Sequence, residues 1–205
     1  MTAPSISTTS STPSRQQVLY LVGCAAPPVN HIRSAIDLAQ GRGYDTCLIL
    51  TPTAAGWLEN DLPELAKLTG HPVRSNYKQP SQKDVLPPPD AFLVAPMTIN
   101  TATKWADGHQ DCLAVGLIAE AAGRRVHDGA LGLPVRPIIA LPYLNAWQAA
   151  HHAFDSAVTR LRKMGVQVLL GEGGFTPHVP HTGQGKPDQF PWNLALDALG
   201  TSISS

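Results

Sequence analysis

The sequence predicts an α/β fold of the doubly wound, Rossmann-like class: a single parallel sheet of about six strands between two layers of helices. Three observations point to it. Short, unbroken apolar runs such as Val18-Leu19-Tyr20-Leu21-Val22 and Ala91-Phe92-Leu93-Val94-Ala95 stop abruptly at glycine or proline, the mark of strands buried on both faces. Segments with apolar residues at helical spacing alternate with these runs, an alternation that closes as a parallel sheet with right-handed crossovers. At 205 residues, 43% of them hydrophobic, the chain can bury one sizeable core and is too short for two catalytic domains.

The first strand, 18–22, ends at Gly23. Over 29–40 the apolar residues Ile32, Ala35, Ile36 and Ala39 follow a helical period, and Gly41 and Gly43 supply the stop. Residues 46–50 read as the second strand, with a helical stretch beginning near Thr53. Val73 opens a weakly marked third strand, and the proline-rich stretch 79–89 reads as a loop. The fourth strand, 91–95, is ended by Pro96; helices over 99–106 and 111–122 and a glycine-rich connection over 124–134 follow. Residues 138–141 form the fifth strand, 146–164 one long amphipathic helix and 166–170 the sixth strand. A Gly/His/Pro loop and a short helix over 192–199 close the domain.

The 15 Lys and Arg balance the 15 Asp and Glu, so no basic field gathers nucleic acid. Residues 1–17 are rich in Ser, Thr and Pro and lack an apolar stretch, which predicts a disordered arm rather than a signal peptide; the folded domain spans 18–200, and 201–205 form a tail. Three widely spaced cysteines, Cys24, Cys47 and Cys112, fit reduced thiols in a cytoplasmic protein, and no apolar run approaches the roughly 20 residues that cross a bilayer.

In such a sheet the ligand crevice lies outside the carboxyl ends of the strands where the winding reverses, here beside the first and fourth. The loops 23–26 and 96–101 should therefore face it. Gly23 reads as either a structural strand end or a place where backbone approaches a phosphate, with the amides of the next helix start as donors. Thr51 and Thr53 read as a helix cap or as ligands to a phosphate or polyol. Thr98, Asn100 and Thr101 crowd hydroxyls and an amide between a strand-ending proline and a helix, a set able both to donate and to accept. His151, His152, His178 and His181 do not form a convincing metal set, since zinc sites need convergent ligands and the late loop has no cysteine pair.

Ala95-Pro96-Met97-Thr98-Ile99-Asn100-Thr101 resembles the Pro-Ala-Ser-Ala-Asn-Thr motif of the flavin-containing cysteine decarboxylases, the family of phosphopantothenoylcysteine decarboxylase and the lantibiotic peptidyl-cysteine decarboxylases. Further segments resemble the family in order: Val22-Gly23-Cys24-Ala25-Ala26, Leu50-Thr51-Pro52-Thr53-Ala54-Ala55-Gly56-Trp57, Gly108-His109-Gln110-Asp111-Cys112-Leu113 and Pro142-Tyr143-Leu144-Asn145, together covering about 18–199. The resemblance implies FMN as cofactor and a trimer or a multiple of trimers. It implies FMN contacts from Gly23, Cys24, Thr51, Thr53, Trp57, Pro96, Thr98, Asn100 and Thr101, with Cys24 giving mainly its amide. Trp57 stands for an aromatic beside the flavin or a core residue, and Asn145 for the group that holds the substrate carboxylate or a helix cap. Lys186 takes the place of an arginine in the late flap, as a point charge where arginine grips bidentately.

Two departures qualify it. The family histidine before the fourth strand is missing: the corresponding stretch holds Gln82 and Lys83, and His71 matches a different turn. The flap over 171–186 has no cysteine, which argues against a role in coenzyme A synthesis. The implied activity is oxidation and decarboxylation of a cysteine-type thiol to an enethiol. The alternatives are a catalytically altered flavin-binding regulatory or scaffold subunit, or a flavin prenyltransferase.

Overall fold

In a computed structural model that describes residues 15–182 and 189–203, the elements run β1 (Gln17–Gly23), a 3-10 turn (Pro27–His31), α1 (Ile32–Gly41), β2 (Tyr44–Leu50), α2 (Pro52–Trp57) and α3 (Leu62–Thr69). They continue as β3 (Ala91–Met97), α4 (Ile99–Ala106), α5 (Leu113–Ala130), β4 (Ile138–Pro142), α6 (Ala146–Ala149), α7 (His152–Lys163), β5 (Gln167–Val168) and α8 (Trp192–Ile203). All strand pairs are parallel, in the order β2-β1-β3-β4-β5. The chain winds outward from β1 to β2 and then returns to the other side of β1, so the switch point lies between β1 and β3.

Alternate residues of β1 feed opposite faces, as a strand period of two requires. Leu19 and Leu21 join Ile36, Leu65, Leu93 and Leu196 under α1, α3 and α8. Val18, Tyr20 and Val22 join Phe92, Trp105, Ile118, Phe154 and Leu161 under α4, α5 and α7. Burial on both faces is why these strands read as unbroken apolar runs.

Several expected boundaries shift. The strand expected at Val73 shrinks to a single bridge between Ile49 and Arg74, where Leu50 N–H donates to Arg74 O at 2.8 Å; the polar residues Ser75 and Asn76 offer nothing for the sheet face to bury. β3 continues through Pro96 to Met97, with Ala95–Pro96 in cis. The glycine-rich stretch after 122 stays helical to Ala130, held by an Arg124–Asp128 pair at 3.0 Å one turn apart. The single helix expected over 146–164 is two, because His151 turns extended and caps α7, its Nδ1 accepting from Ala153 N–H at 3.2 Å. Of the expected arm, Gln17 already belongs to β1 and Arg15 pairs with Asp90 at 2.6 Å; residues 1–14 lie outside the described residues. No described helix is long and apolar enough to cross a membrane.

Candidate functional site

A row of backbone hydrogen bonds ties the carboxyl edge of the sheet together. Thr51 N–H donates to Gly23 O at 3.0 Å, Cys24 N–H to Pro96 O at 3.2 Å, Tyr143 N–H to Met97 O at 2.9 Å and Ala146 N–H to His178 O at 2.9 Å. The loops after β2, β1, β3 and β4 and the segment after β5 thus form one continuous rim. Gly23, Cys24, Thr51, Pro96, Thr98, Asn100, Thr101 and Asn145 lie on these loops, and Trp57 ends the helix that begins after Thr51.

The loops after β1 and β3 form a closed framework. A Cβ on Gly23 would meet Leu50 Cδ2 at 2.8 Å and Val29 Cγ2 at 3.2 Å, so any larger residue must push these two buried side chains aside. Pro96 and Thr101 are buried, and Thr98 caps α4: its Oγ1 accepts from Thr101 N–H at 3.2 Å and donates to Thr101 Oγ1 at 3.1 Å. The fully buried Cys24 thiol sits against Thr98 and Thr101, and burial pushes its pKa up to about 11, so it is a neutral packing group. The Cys24 amide, expected to face a ligand, bonds Pro96 instead. The turn that follows offers little more: Ala26 and Val29 N–H donate to Cys24 O and Ala26 O, and Pro27 and Pro28 have no N–H. The adjacent prolines were a sequence signal against a phosphate cradle at this turn.

The open polar groups stand beside this framework. Thr51 begins α2 with extended φ/ψ, but its hydroxyl does not cap the helix, and Oγ1 is buried with no hydrogen-bond partner. Thr53 and Asn100 are exposed, and Trp57 is 52% exposed, which excludes the core reading of that tryptophan.

Past β4, Asn145 caps α6 in a reciprocal box: its Oδ1 accepts from Gln148 N–H at 2.9 Å, and its own N–H donates to Gln148 Oε1 at 3.0 Å. The cap reading therefore holds, and it fixes the side chain with the Nδ2 donors left for a ligand. Asn145 also pairs with His178 in a parallel bridge. The His178 ring lies 5.0 Å from that of Tyr143 and 6.4 Å from that of Phe175, and together with Phe190 they line a cavity of about 400 Å³. The Nδ1 of His178 is sealed from solvent and unpartnered, and burial holds the imidazole below its ordinary pKa of 6.5. Considered from sequence only as a metal ligand, His178 was missed as a neighbour of Asn145.

His71 is at the opposite edge of the sheet, its Nε2 2.6 Å from Asp45 Oδ1 near the start of β2, away from the carboxyl-edge loops. Lys186 lies outside the described residues. Among the described residues no three His, Cys, Asp or Glu side chains gather as a metal set.

No family model and no curated protein matches the chain. Solved structures do. MrsD from Bacillus sp. HIL-Y85/54728 matches over 90% of this chain and 95% of its own, with TM-score 0.62 and 18% identity. The chain shares its fold. TvaF, an FMN-dependent cysteine decarboxylase from thioviridamide biosynthesis, matches over 90% of this chain and 99% of its own, with TM-score 0.60 and 20% identity. AnUbiX (PadA1), solved in complex with FMN and dimethylallyl pyrophosphate, matches over 75% of this chain and 77% of its own, with TM-score 0.59 and 10% identity.

Proposed function

We propose that the chain binds FMN at the β1/β3 switch point and oxidises and decarboxylates a cysteine-type thiol, either a peptide ending in cysteine or a small molecule, to an enethiol. The observation that carries this reading is the buried, unpartnered Thr51 Oγ1 on the rim: a sealed hydroxyl is costly unless a ligand completes its hydrogen bonds, and a phosphate or ribityl oxygen does so. Thr53 and Asn100 would add polar contacts from the flanking loops, and Trp57 would cover the site. Gly23, Cys24, Pro96, Thr98 and Thr101 support it as framework around the same ligand. Bound FMN would supply the hydride acceptor. Oxidation of the substrate CH2–SH to a thioaldehyde creates the electron sink that lets carbon dioxide leave. The Nδ2 of Asn145 donates to the carboxylate, and a neutral amide orients that group without anchoring the charge that must depart.

The fold is also that of a protein crystallised with a prenyl pyrophosphate. Prenyl transfer is disfavoured because the loops 23–26, 51–57, 96–101 and 142–147 contain no Arg or Lys to clamp a pyrophosphate. A regulatory or scaffold role is favoured by one observation, the absence of a histidine from 72–90 ahead of β3. Heat release and chromatography of the ligand from purified protein, then incubation with cysteine-terminated peptides, separate the readings. The expected results are FMN, bleaching of its absorbance and loss of carbon dioxide by mass; a protein that neither carries nor takes up FMN overturns the proposal. A trimer or multiple of trimers is expected by light scattering, with the exposed Trp57 at a subunit contact, and a monomer at micromolar concentration refutes it.

A further inference from the structure

The chain has eight histidines, all among the described residues, and their surroundings differ sharply. His71 is bonded to Asp45 and His127 to Asp128; His151 caps α7 and stacks on His152 with ring centroids 4.7 Å apart; His181 packs edge-on against Trp147 at 5.4 Å. His178 alone appears among the buried unpartnered groups, and it borders a cavity. Pro177 and Pro180 bracket the segment around it and limit its backbone freedom, and the bridge to Asn145 fixes its position against the rim. The imidazole, packed against Tyr143 and Phe175, makes no hydrogen bond through its sealed Nδ1, borders the cavity and stands one backbone pairing away from Asn145.

We propose that His178 is the catalytic proton acceptor of this site, taking the proton from the thiol of a substrate whose carboxylate Asn145 holds. The inference rests on the thiol-oxidising reading above. In the step, the substrate S–H bond breaks with its electron pair left on sulfur, an N–H bond forms on the imidazole, and two neutral groups become a thiolate and an imidazolium. The Tyr143 ring, 5.0 Å away, offers π density to the cation once it forms. Burial keeps the resting ring neutral and is the whole cause of its lowered pKa. Tyr143 is the titratable group in ring contact with it, and burial raises that phenol, so it stays neutral through the working range; Phe175 and Phe190 carry no charge, and His181 on the same segment is turned to Trp147.

The test uses the purified full chain, wild type and His178→Gln, with N-acetylcysteine and a cysteine-terminated peptide as probes. Flavin reduction by the peptide is expected to rise with pH through a midpoint below that of free imidazole and to level off above it, because the base must be neutral to act. His178→Gln should keep its flavin, lose that rising limb and react about a hundredfold slower or more. Added imidazole should restore part of the rate in His178→Ala. An unchanged rate and pH profile in His178→Gln overturns the proposal, and so does loss of flavin from that variant, which would make His178 a cofactor ligand. Wild-type protein that holds FMN but is not reduced by the peptide refutes the thiol-oxidising reading; NMR of the histidine rings then decides the residue by itself. A His178 resonance that moves on adding N-acetylcysteine supports the contact, and one that does not move overturns it.

Discussion

The loops after β1 and β3 and the stretch that follows β4 share one sheet edge, yet they are built in opposite ways. In the first pair the polar groups that join the two loops are occupied, Cys24 N–H by Pro96 and Thr101 N–H and Oγ1 by Thr98, while the sealed, unpartnered Thr51 Oγ1 stands on the neighbouring loop after β2. Past β4, the groups that could meet a ligand are left over: Nδ2 of Asn145 and the cavity that the His178 ring borders with its aromatic neighbours. A region whose hydrogen bonds are all made is rigid and specifies one shape, whereas uncommitted donors and acceptors wait for a partner. The difference suggests a division of labour, with the switch-point loops fixing a site and the β4 edge choosing the reaction. Changes to the first should cost stability and ligand retention together; changes to the second should alter turnover with little effect on stability.

The largest effect should come from Gly23→Val. The first added carbon already lies 2.8 Å from Leu50 Cδ2 and 3.2 Å from Val29 Cγ2, and two further methyl groups must repack these buried side chains beside the loop that carries Thr51. Overpacking of this kind costs about 1–3 kcal/mol. Urea unfolding should show the loss, and flavin content should fall with it. A variant as stable as the parent and fully loaded with flavin would mean that the framework is slack and the comparison fails.

A smaller loss is expected for Thr101→Val. Valine keeps the shape of a residue that is 1% exposed but leaves the Thr98 hydroxyl without the acceptor at 3.1 Å and removes the group against the Cys24 thiol. The expected cost is about 1 kcal/mol, while Thr101→Ser, which keeps the hydroxyl, should fall short of it. Equal destabilisation by the two would show that the methyl rather than the hydrogen bond matters, and would sharpen the account of the framework as packing.

The sheet and its switch point were legible because strands buried on both faces leave continuous apolar runs, and Gly23 and Pro96 mark where those runs meet the rim. The weak strand at Val73 was not, since a stretch opening on one valine and running into Ser75 and Asn76 carries no periodic signal. Nor was the break at His151, where helical periodicity runs through and only local capping divides the segment. Among the site residues, the positions of Thr51, Thr98, Asn100 and Asn145 on one rim followed from strand order. Which of their groups are occupied did not, because that depends on contacts between loops distant in sequence, such as Cys24 with Pro96. His178 escaped for the same reason: it lies 33 positions beyond Asn145, and only the return of the chain after β5 brings the two together.

Asn145→Asp should have the smallest effect on stability and is the sharpest test of the division between the two regions. Aspartate caps helices as well as asparagine does, and its carboxylate can keep the hydrogen bond from Gln148 N–H. A negative charge at a helix start is also favourable, so stability should change by no more than about 0.5 kcal/mol, on the scale of exposed helix-end charges. Asn145→Ala, by contrast, loses the cap and should cost about 1 kcal/mol. What aspartate cannot replace is the pair of Nδ2 donors, and where an acidic substrate expects a donor it presents a like charge. Asn145→Asp should therefore retain its flavin and its unfolding midpoint while its flavin is reduced far more slowly by a cysteine-terminated peptide. A peptide amidated at that cysteine should lose this discrimination, because it offers no carboxylate to repel. Asn100→Asp, on the exposed face of the β3 loop, is the control: it should disturb flavin retention first. If Asn145→Asp sheds flavin while Asn100→Asp keeps it, the two regions have exchanged roles. If Asn145→Asp is reduced at the parental rate by the acidic peptide, Asn145 is a helix cap alone, and the regulatory or scaffold reading gains.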